Sequence, residues 1–237
     1  MGCRNARTRG LTMLLALDTA TRLASAALYD GTRVVSEHTW HSANRHTVEL
    51  MPHVVAMTKQ VGLTPTDLQV VAVALGPGSF TGLRIALSVA KGLAIALNVP
   101  LLGVPTLDIV AYPHQQETRP VCAVVQAGRG RVCWARYGAR AGIWTSQEAY
   151  RLSTVDTLAC VIDRPTLFVG ELLPETTATL RNILGEKAYF APPALSLRRA
   201  GYLAEMAWGR WRRGEQDDPV SLSPIYLHEP PGGGTLP

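Results

Sequence analysis

The spacing of apolar residues changes period several times along the chain, and each change marks an element. From Met13 the runs MLLALD, LASAALYD and TRVVSEHTW are continuous or alternating and predict three short strands. Thr19-Ala20-Thr21 separates the first two, and Asp30-Gly31 is the strongest hairpin signal in the chain. Residues 44–61 switch to helical spacing, with Val48, Met51, Val54, Val55 and Met57 on one side and a kink expected at Pro52. QVVAVAL reads as a buried strand running into GPGSFTGLR and the long helix LRIALSVAKGLAIALN. After Pro100, LLGV predicts a short strand and residues 105–112 a helix.

The second half repeats the theme. PVCAVVQ and RVCWARY predict a hairpin around residues 128–130, with a third strand near 143–150, a helix over 153–160, the strand TLFVG and a helix over 174–184. Ser196 is the expected N-cap of LRRAGYLAEMAWGRWRRG, which ends at Gly214, and SPIYLHEP reads as a last edge strand. Two strand-rich openings, each followed by helices and strands, predict an α/β chain of two similar lobes with mixed sheets. The expected division is a disordered basic leader over 1–12, a first lobe over 13–108, a second over 109–229 and a disordered tail over 230–237, with Met13 a second candidate start.

Composition narrows the class. With 47% hydrophobic and 17% charged residues among 237, the balance is globular and not disordered. A net charge of +5 is too small to make a nucleic-acid binder by itself. Arg4, Arg7 and Arg9 precede an apolar run that Asp18 cuts short of export or membrane-spanning length, and Ala6 stands where a myristoylation signal wants Ser or Thr, so a cytoplasmic chain is expected. The cysteines, Cys3, Cys122, Cys133 and Cys160, have neither C-x-x-C nor zinc spacing; Cys122 and Cys133 are either paired across the hairpin or buried free thiols.

The densest stretch is Gly76-Pro77-Gly78-Ser79-Phe80-Thr81-Gly82-Leu83-Arg84. It lacks the lysine of a phosphate-binding P-loop, its third glycine is one place late for a dinucleotide loop, and Ser79 is not in the G-x-S-x-G frame of a hydrolase elbow. Two readings remain: a helix N-terminus that holds an anion, or a packing turn capped by Ser79 or Thr81. The helix that follows is apolar around nearly its whole circumference and needs cover on every side, from a second chain or from the protein's own second lobe, while Arg84 and Lys91 argue against a membrane span.

The segments LALDTATRLASAAL, RHTVELMPHV and VALGPGSFTGLRIALSVAKGLAIALNVPLLGVPTLDIVA resemble the bacterial TsaB family, also called YeaZ; the likeness is close over residues 13–112 and looser to IYL near 226. The resemblance implies the two-lobed actin-like ATPase fold. It also implies the role of a non-catalytic subunit that binds and activates TsaD, the enzyme forming N6-threonylcarbamoyladenosine beside the anticodon of tRNAs reading ANN codons. A TsaE-family ATPase would share the complex, and the chain alone would pair with itself. Docking is expected to use Val48, Met51, Val55, Gly76, Pro77, Gly78, Ser79, Phe80, Thr81, Gly82, Arg84, Ile85, Ala86, Val89, Ala90 and Leu93.

Actin-like ATPases grip nucleotide with two Asp-led hairpins and a glycine-rich adenosine loop. The first hairpin survives as Asp18-Thr19, a vestigial nucleotide site. Asp18 ends a buried strand and must have a partner or face a cleft. The second reads Gln126-Ala127-Gly128-Arg129-Gly130-Arg131 without its acids, and FVGELLPE has one glycine. ATP hydrolysis is therefore not expected, nor any cofactor. TsaD holds its metal through an H-x-x-x-H pair, absent at Pro105-Thr106-Leu107-Asp108-Ile109-Val110. His46 and His53 lie two turns apart, too far to share an ion, and Ser79 has no placed base. Arg198, Arg199, Arg210, Arg212 and Arg213 with Trp208 and Trp211 either touch tRNA as an auxiliary surface or combine aromatic anchors with solvated charges. The rival functions are an ATPase or small-molecule kinase of the same fold, a peptidase, and a self-contained homodimeric binding protein.

Overall fold

The computed structural model describes residues 12–140 and 142–227; the leader and the tail expected to be disordered lie outside the described residues, except for Thr12. In the first lobe, β1 (Met13–Asp18), β2 (Leu23–Tyr29) and β3 (Val34–His41) form an antiparallel meander. α1 (His46–Gln60), β4 (Leu68–Ala74), α2 (Phe80–Leu97), β5 (Leu101–Val104) and α3 (Thr106–Ala111) follow. The sheet order is β3-β2-β1-β4-β5, with β4 parallel to both β1 and β5. Period-2 alternation on β1 builds two cores at once: Leu15 and Leu17 face α1 and α2, while Leu14 and Ala16 face the opposite side.

The second lobe repeats this logic with β6 (Val121–Gly128), β7 (Arg131–Arg140), β8 (Ile143–Ser146), β9 (Arg151–Thr154), α4 (Val155–Cys160), β10 (Thr166–Gly170), α5 (Pro174–Leu184) and β11 (Ala188–Phe190); α6 (Ala200–Arg212) follows. Its sheet order is β11-β10-β6-β7-β8, and β9 also pairs with β7. Val121, Ala123 and Val125 face α3; Cys122 and Val124 face α4 and α5.

Several expectations change. α6, expected in the second lobe, packs on the first, where Ala200, Leu203, Ala204 and Ala207 close the face that β1, β2 and β4 leave open. The α2 helix therefore covers only one side of that sheet. The segment after α6 also returns to the first lobe: Asp217 bridges to Leu101, and the Ile225 N–H donates to the Leu75 carbonyl. Among the described residues it forms that isolated bridge and no edge strand. Ser196 is not the cap of α6, which starts after Arg199. Cys122 lies opposite Arg136 and Cys133 opposite Val125, so the two thiols are out of register, on opposite faces, and free. Burial pushes the Cys122 thiol up and that of Cys133 up to about 11, which leaves neither a ready nucleophile.

Candidate docking face and interlobe cleft

The GPGSFTG turn owes its glycines to packing. Gly78 lies against the Ala20 backbone and Gly82 against the Thr19 carbonyl, so a Cβ at either position would overlap main-chain atoms of the β1–β2 turn. The Ser79 N–H donates to the Ala20 carbonyl at 2.6 Å, and the Thr19 hydroxyl donates to the Gly82 carbonyl at 2.6 Å. Ser79 caps α2 by accepting the Gly82 N–H at 3.3 Å. Of the two readings open in the sequence, the packing turn capped by Ser79 is the one these contacts build.

The residues expected to dock a partner divide by burial. Gly76, Pro77, Gly82, Ala86 and Ala90 are buried; Ala86 and Ala90 belong to the core under α2 and offer no surface to another chain. That corrects their place in the docking set: they lie on the stripe of α2 that meets β4. The exposed members are Val48 (59%) and Val55 on α1, with Ser79, Phe80, Thr81 and Arg84 at the start of α2. Met51, Gly78, Ile85, Val89 and Leu93 are half-buried between them. Ile95, near the end of α2 in the stretch from Lys91 to Asn98 also expected to dock, is 66% exposed; a helix apolar all round does not by itself show which stripe faces outward. α2 is also long and apolar enough to cross a bilayer, but one of its faces packs on the sheet.

At one end of the face, the Arg84 guanidinium lies 3.7 Å from the Phe80 ring centroid, and its Nε donates to the Tyr226 hydroxyl at 2.9 Å. At the other, His38 and His53 meet Nδ1 to Nδ1 at 3.2 Å, and the His53 ring stacks on Trp40, whose indole N–H donates to Glu49. This pairing of a strand histidine with a helix histidine was not visible in the sequence.

Between the lobes runs a cleft of about 1340 Å³, lined by Thr21, His46 and Ser79 on one side and by residues 126–130 and 170–173 on the other. Asp18 lies behind the cleft wall, fully buried next to the lining residues Thr21 and Glu171, and it has the partner its position demanded: the Arg198 Nε donates to Asp18 Oδ2 at 2.5 Å, and the Ala20 N–H donates to Oδ1 at 2.8 Å. Arg198 is itself 1% exposed and also donates to Glu171 at 2.8 Å, to the Thr21 hydroxyl at 3.0 Å and to the Leu23 carbonyl at 2.6 Å. Burial opposes its charge, but Asp18 and Glu171 outweigh that and hold its pKa above the ordinary value.

Arg198 thus leaves the basic cluster expected around the last helix. Most of the other arginines are paired as well: Arg199 with Glu37, Arg210 with Asp217 and Glu215, and Arg213 with Glu215. Trp208 packs edge-on against Tyr29 and beside Trp211, the anchoring reading of the aromatics. The cluster reads as a set of ion pairs tying α6 and the chain after it to the first lobe, and not as a strip of free charges.

No group of three or more His, Cys, Asp or Glu side chains among the described residues is placed to hold a metal ion. His46 sits buried at the start of α1, and its pKa is lowered, chiefly by desolvation; His114 behaves likewise. In both, burial disfavours the charged form. Their contribution to stability is complete above the unfolded value of about 6.5 and is lost as the pH falls through the lowered folded values, at up to about 1.4 kcal/mol per pH unit for each. Asp108 has the opposite sign: burial raises its pKa against hydrogen bonds from Tyr137 and Tyr150, so stability is recovered as it takes up a proton. The expected result is a thermal midpoint that declines below about pH 6.5 and declines less steeply in His46→Gln. Parallel curves for the two proteins between pH 7.5 and 5 would rule this out.

The family model described as "TsaD: tRNA N6-adenosine threonylcarbamoyltransferase" matches residues 34–159, over half of the chain. The tRNA threonylcarbamoyladenosine biosynthesis protein TsaB of Escherichia coli is 39% identical over 140 residues, 57% of this chain and 59% of that protein. The Bacillus subtilis protein of the same name is 28% identical over 217 residues, 90% of this chain and 93% of that one. The solved structure of YeaZ from Pseudomonas aeruginosa superposes with a TM-score of 0.72 at 28% identity, covering 92% of this chain and all of that one. A more remote likeness, to the (R)-2-hydroxyglutaryl-CoA dehydratase component A of Acidaminococcus fermentans (TM-score 0.51, 9% identity, 84% of this chain and 98% of that one), shows the fold alone. By its relatives named TsaB, the solved YeaZ structure it superposes on and its two-lobed actin-like fold, the chain belongs to the TsaB (YeaZ) family.

Proposed function

We propose that the chain serves N6-threonylcarbamoyladenosine formation on tRNA as a non-catalytic subunit, binding and activating a TsaD-family enzyme in a complex that also uses a TsaE-family ATPase. It would work in the cytoplasm, with no cofactor of its own and at most auxiliary contact with tRNA. The observation that carries this reading is the apolar surface of α1 and α2, where Val48, Val55, Phe80 and Ile95 stand exposed beside half-buried Met51, Ile85, Val89 and Leu93. Such a surface favours association, and it would stabilise one state of the partner by binding that state more tightly.

The test is a drop-out reconstitution: TsaD, TsaE, threonylcarbamoyl-adenylate and an ANN-decoding tRNA, with and without this chain, and the modified nucleoside quantified. Product is expected only with the chain. Val48→Glu/Val55→Glu, at two exposed positions whose change leaves the core intact, is expected to weaken partner binding by roughly 30-fold or more, the loss of about 2 kcal/mol at the centre of an interface. Equal product without the chain, or unchanged binding by the double variant, would sink the proposal. The same face offers a second copy of the chain its pairing surface in the partner's absence, so the double variant is also expected to sediment as a monomer.

A further inference from the structure

In an actin-like fold the floor of the interlobe cleft is where a metal–nucleotide would be held, and that requires carboxylate oxygens free to meet a hard cation or the water around it. The residues here do not fit that ligand. Asp18 spends one oxygen on the Ala20 N–H and the other on Arg198. Glu171, at the end of β10, accepts from Arg198 and from the Thr21 hydroxyl through one oxygen and from the Gln126 N–H through the other, at 3.3 Å. Gln126 brings an amide where the second hairpin would bring an acid, and that amide donates to the Glu171 carbonyl at 2.8 Å. The positive charge that these carboxylates meet is the chain's own.

We propose that Arg198 is a resident cation standing in place of a bound metal–nucleotide, and that through Glu171 it latches the two lobes at one angle without any ligand. The contacts divide in the way a latch requires. Arg198 and its partners Asp18, Thr21 and Leu23 all belong to the first lobe and the segment leading into α6, whereas Glu171 and Gln126 belong to the second lobe. The Glu171 carboxylate is the piece that crosses, and its side chain is only 18% exposed. Charge-assisted hydrogen bonds at that burial are strong and directional, so they favour one interlobe geometry over the range a hinge would otherwise allow. The latch also reaches the docking face: the Asp18–Thr21 turn that it braces is the turn on which Ser79 and Gly82 rest. In the reading of the chain as a docking subunit, on which this last consequence alone rests, a face braced from within needs no nucleotide to be presented.

The experiment measures the interlobe distance directly in the chain by itself. Nitroxide labels are placed at the exposed Cys160 of α4 and at Lys59→Cys on α1, in a Cys3→Ser background diluted with excess unlabelled chain so that only distances within one molecule are read, and double electron–electron resonance gives the distance distribution. The unaltered latch is expected to give one narrow distance that millimolar Mg·ADP leaves unchanged. Glu171→Ala, which spares the Asp18–Arg198 pair, is expected to broaden the distribution at least about twofold. Should that variant fail to fold, Asp18→Asn/Arg198→Met, which removes both charges of the buried pair together, gives the same reading. Unchanged width in a folded latch variant overturns the proposal, as does saturable binding of Mg·ADP to the unaltered chain in calorimetry. Because no partner is present, that failure would leave the docking proposal standing. Loss of docking in the reconstitution would likewise leave the latch untouched.

Discussion

Replacing Asp18 by alanine is expected to lower the thermal midpoint by roughly 6–20 °C, the equivalent of about 3–5 kcal/mol in a chain of this size. The cause is the charge left behind. Arg198 and Asp18 are 1% and 0% exposed, so water does not replace the lost carboxylate, and the guanidinium keeps only Glu171 as a charged partner. The Ala20 N–H loses its acceptor as well. Removing both members of the pair, as in Asp18→Asn/Arg198→Met, is expected to recover most of the loss, because two neutral side chains of similar volume carry no desolvation penalty. Scanning calorimetry of the two variants checks this; a midpoint within about 2 °C of the parent for Asp18→Ala would show that the pair is not what the burial implies. It follows that Asp18→Ala is a poor control for a mere nucleotide-site remnant, since it acts on the fold.

Gly82→Ala is expected to cost about 3 kcal/mol or more, at the upper end of overpacking effects, because the methyl meets backbone and not a flexible side chain. The Thr19 carbonyl lies where the new Cβ must go, and the neighbouring Thr19 hydroxyl is hydrogen-bonded to the Gly82 carbonyl, so helix and turn cannot part without breaking that bond. The first turn of α2 would shift away from the β1–β2 turn and carry Phe80 and Thr81 with it, weakening partner binding together with stability. Gly92→Ala in the same helix is the control. Nothing lies within 4 Å of its would-be Cβ, so the better helix former should stabilise by about 0.5–1 kcal/mol. Denaturant midpoints of the two variants must move in opposite directions; movement in the same direction would mean that helix propensity, and not close approach, decides position 82.

The elements themselves were legible because their causes are local. The continuous apolar run of β1, the alternation on β2, the Asp-Gly turn, the helical spacing of Val48, Met51 and Val55, and the glycines around residue 80 each act within a few residues, and these elements formed where their patterns lay. The Ser79 cap was legible for the same reason. What failed to show was anything that depends on a partner far along the chain. The Asp18 position demanded a partner, yet Arg198 stands 180 residues away among other arginines, and no spacing rule separates it from Arg199, which pairs with Glu37 at the surface. Glu171 gave only one hint, an acid directly after the glycine that ends a buried strand.

The amino-acid sequence by itself determined the two-lobed α/β architecture, through the order of its local patterns, and the family, through the resemblance of motifs such as the Gly76–Arg84 block. Only the tertiary structure decided that α6 returns to the first lobe, that Ala86 and Ala90 face inward while Ile95 faces out, and that a buried guanidinium sits behind the cleft wall between Asp18 and Glu171. The physical reason is common to all three. A helix apolar on every side, or an arginine among arginines, has several local environments of similar energy, and the choice among them is made by which distant surface is left to be covered.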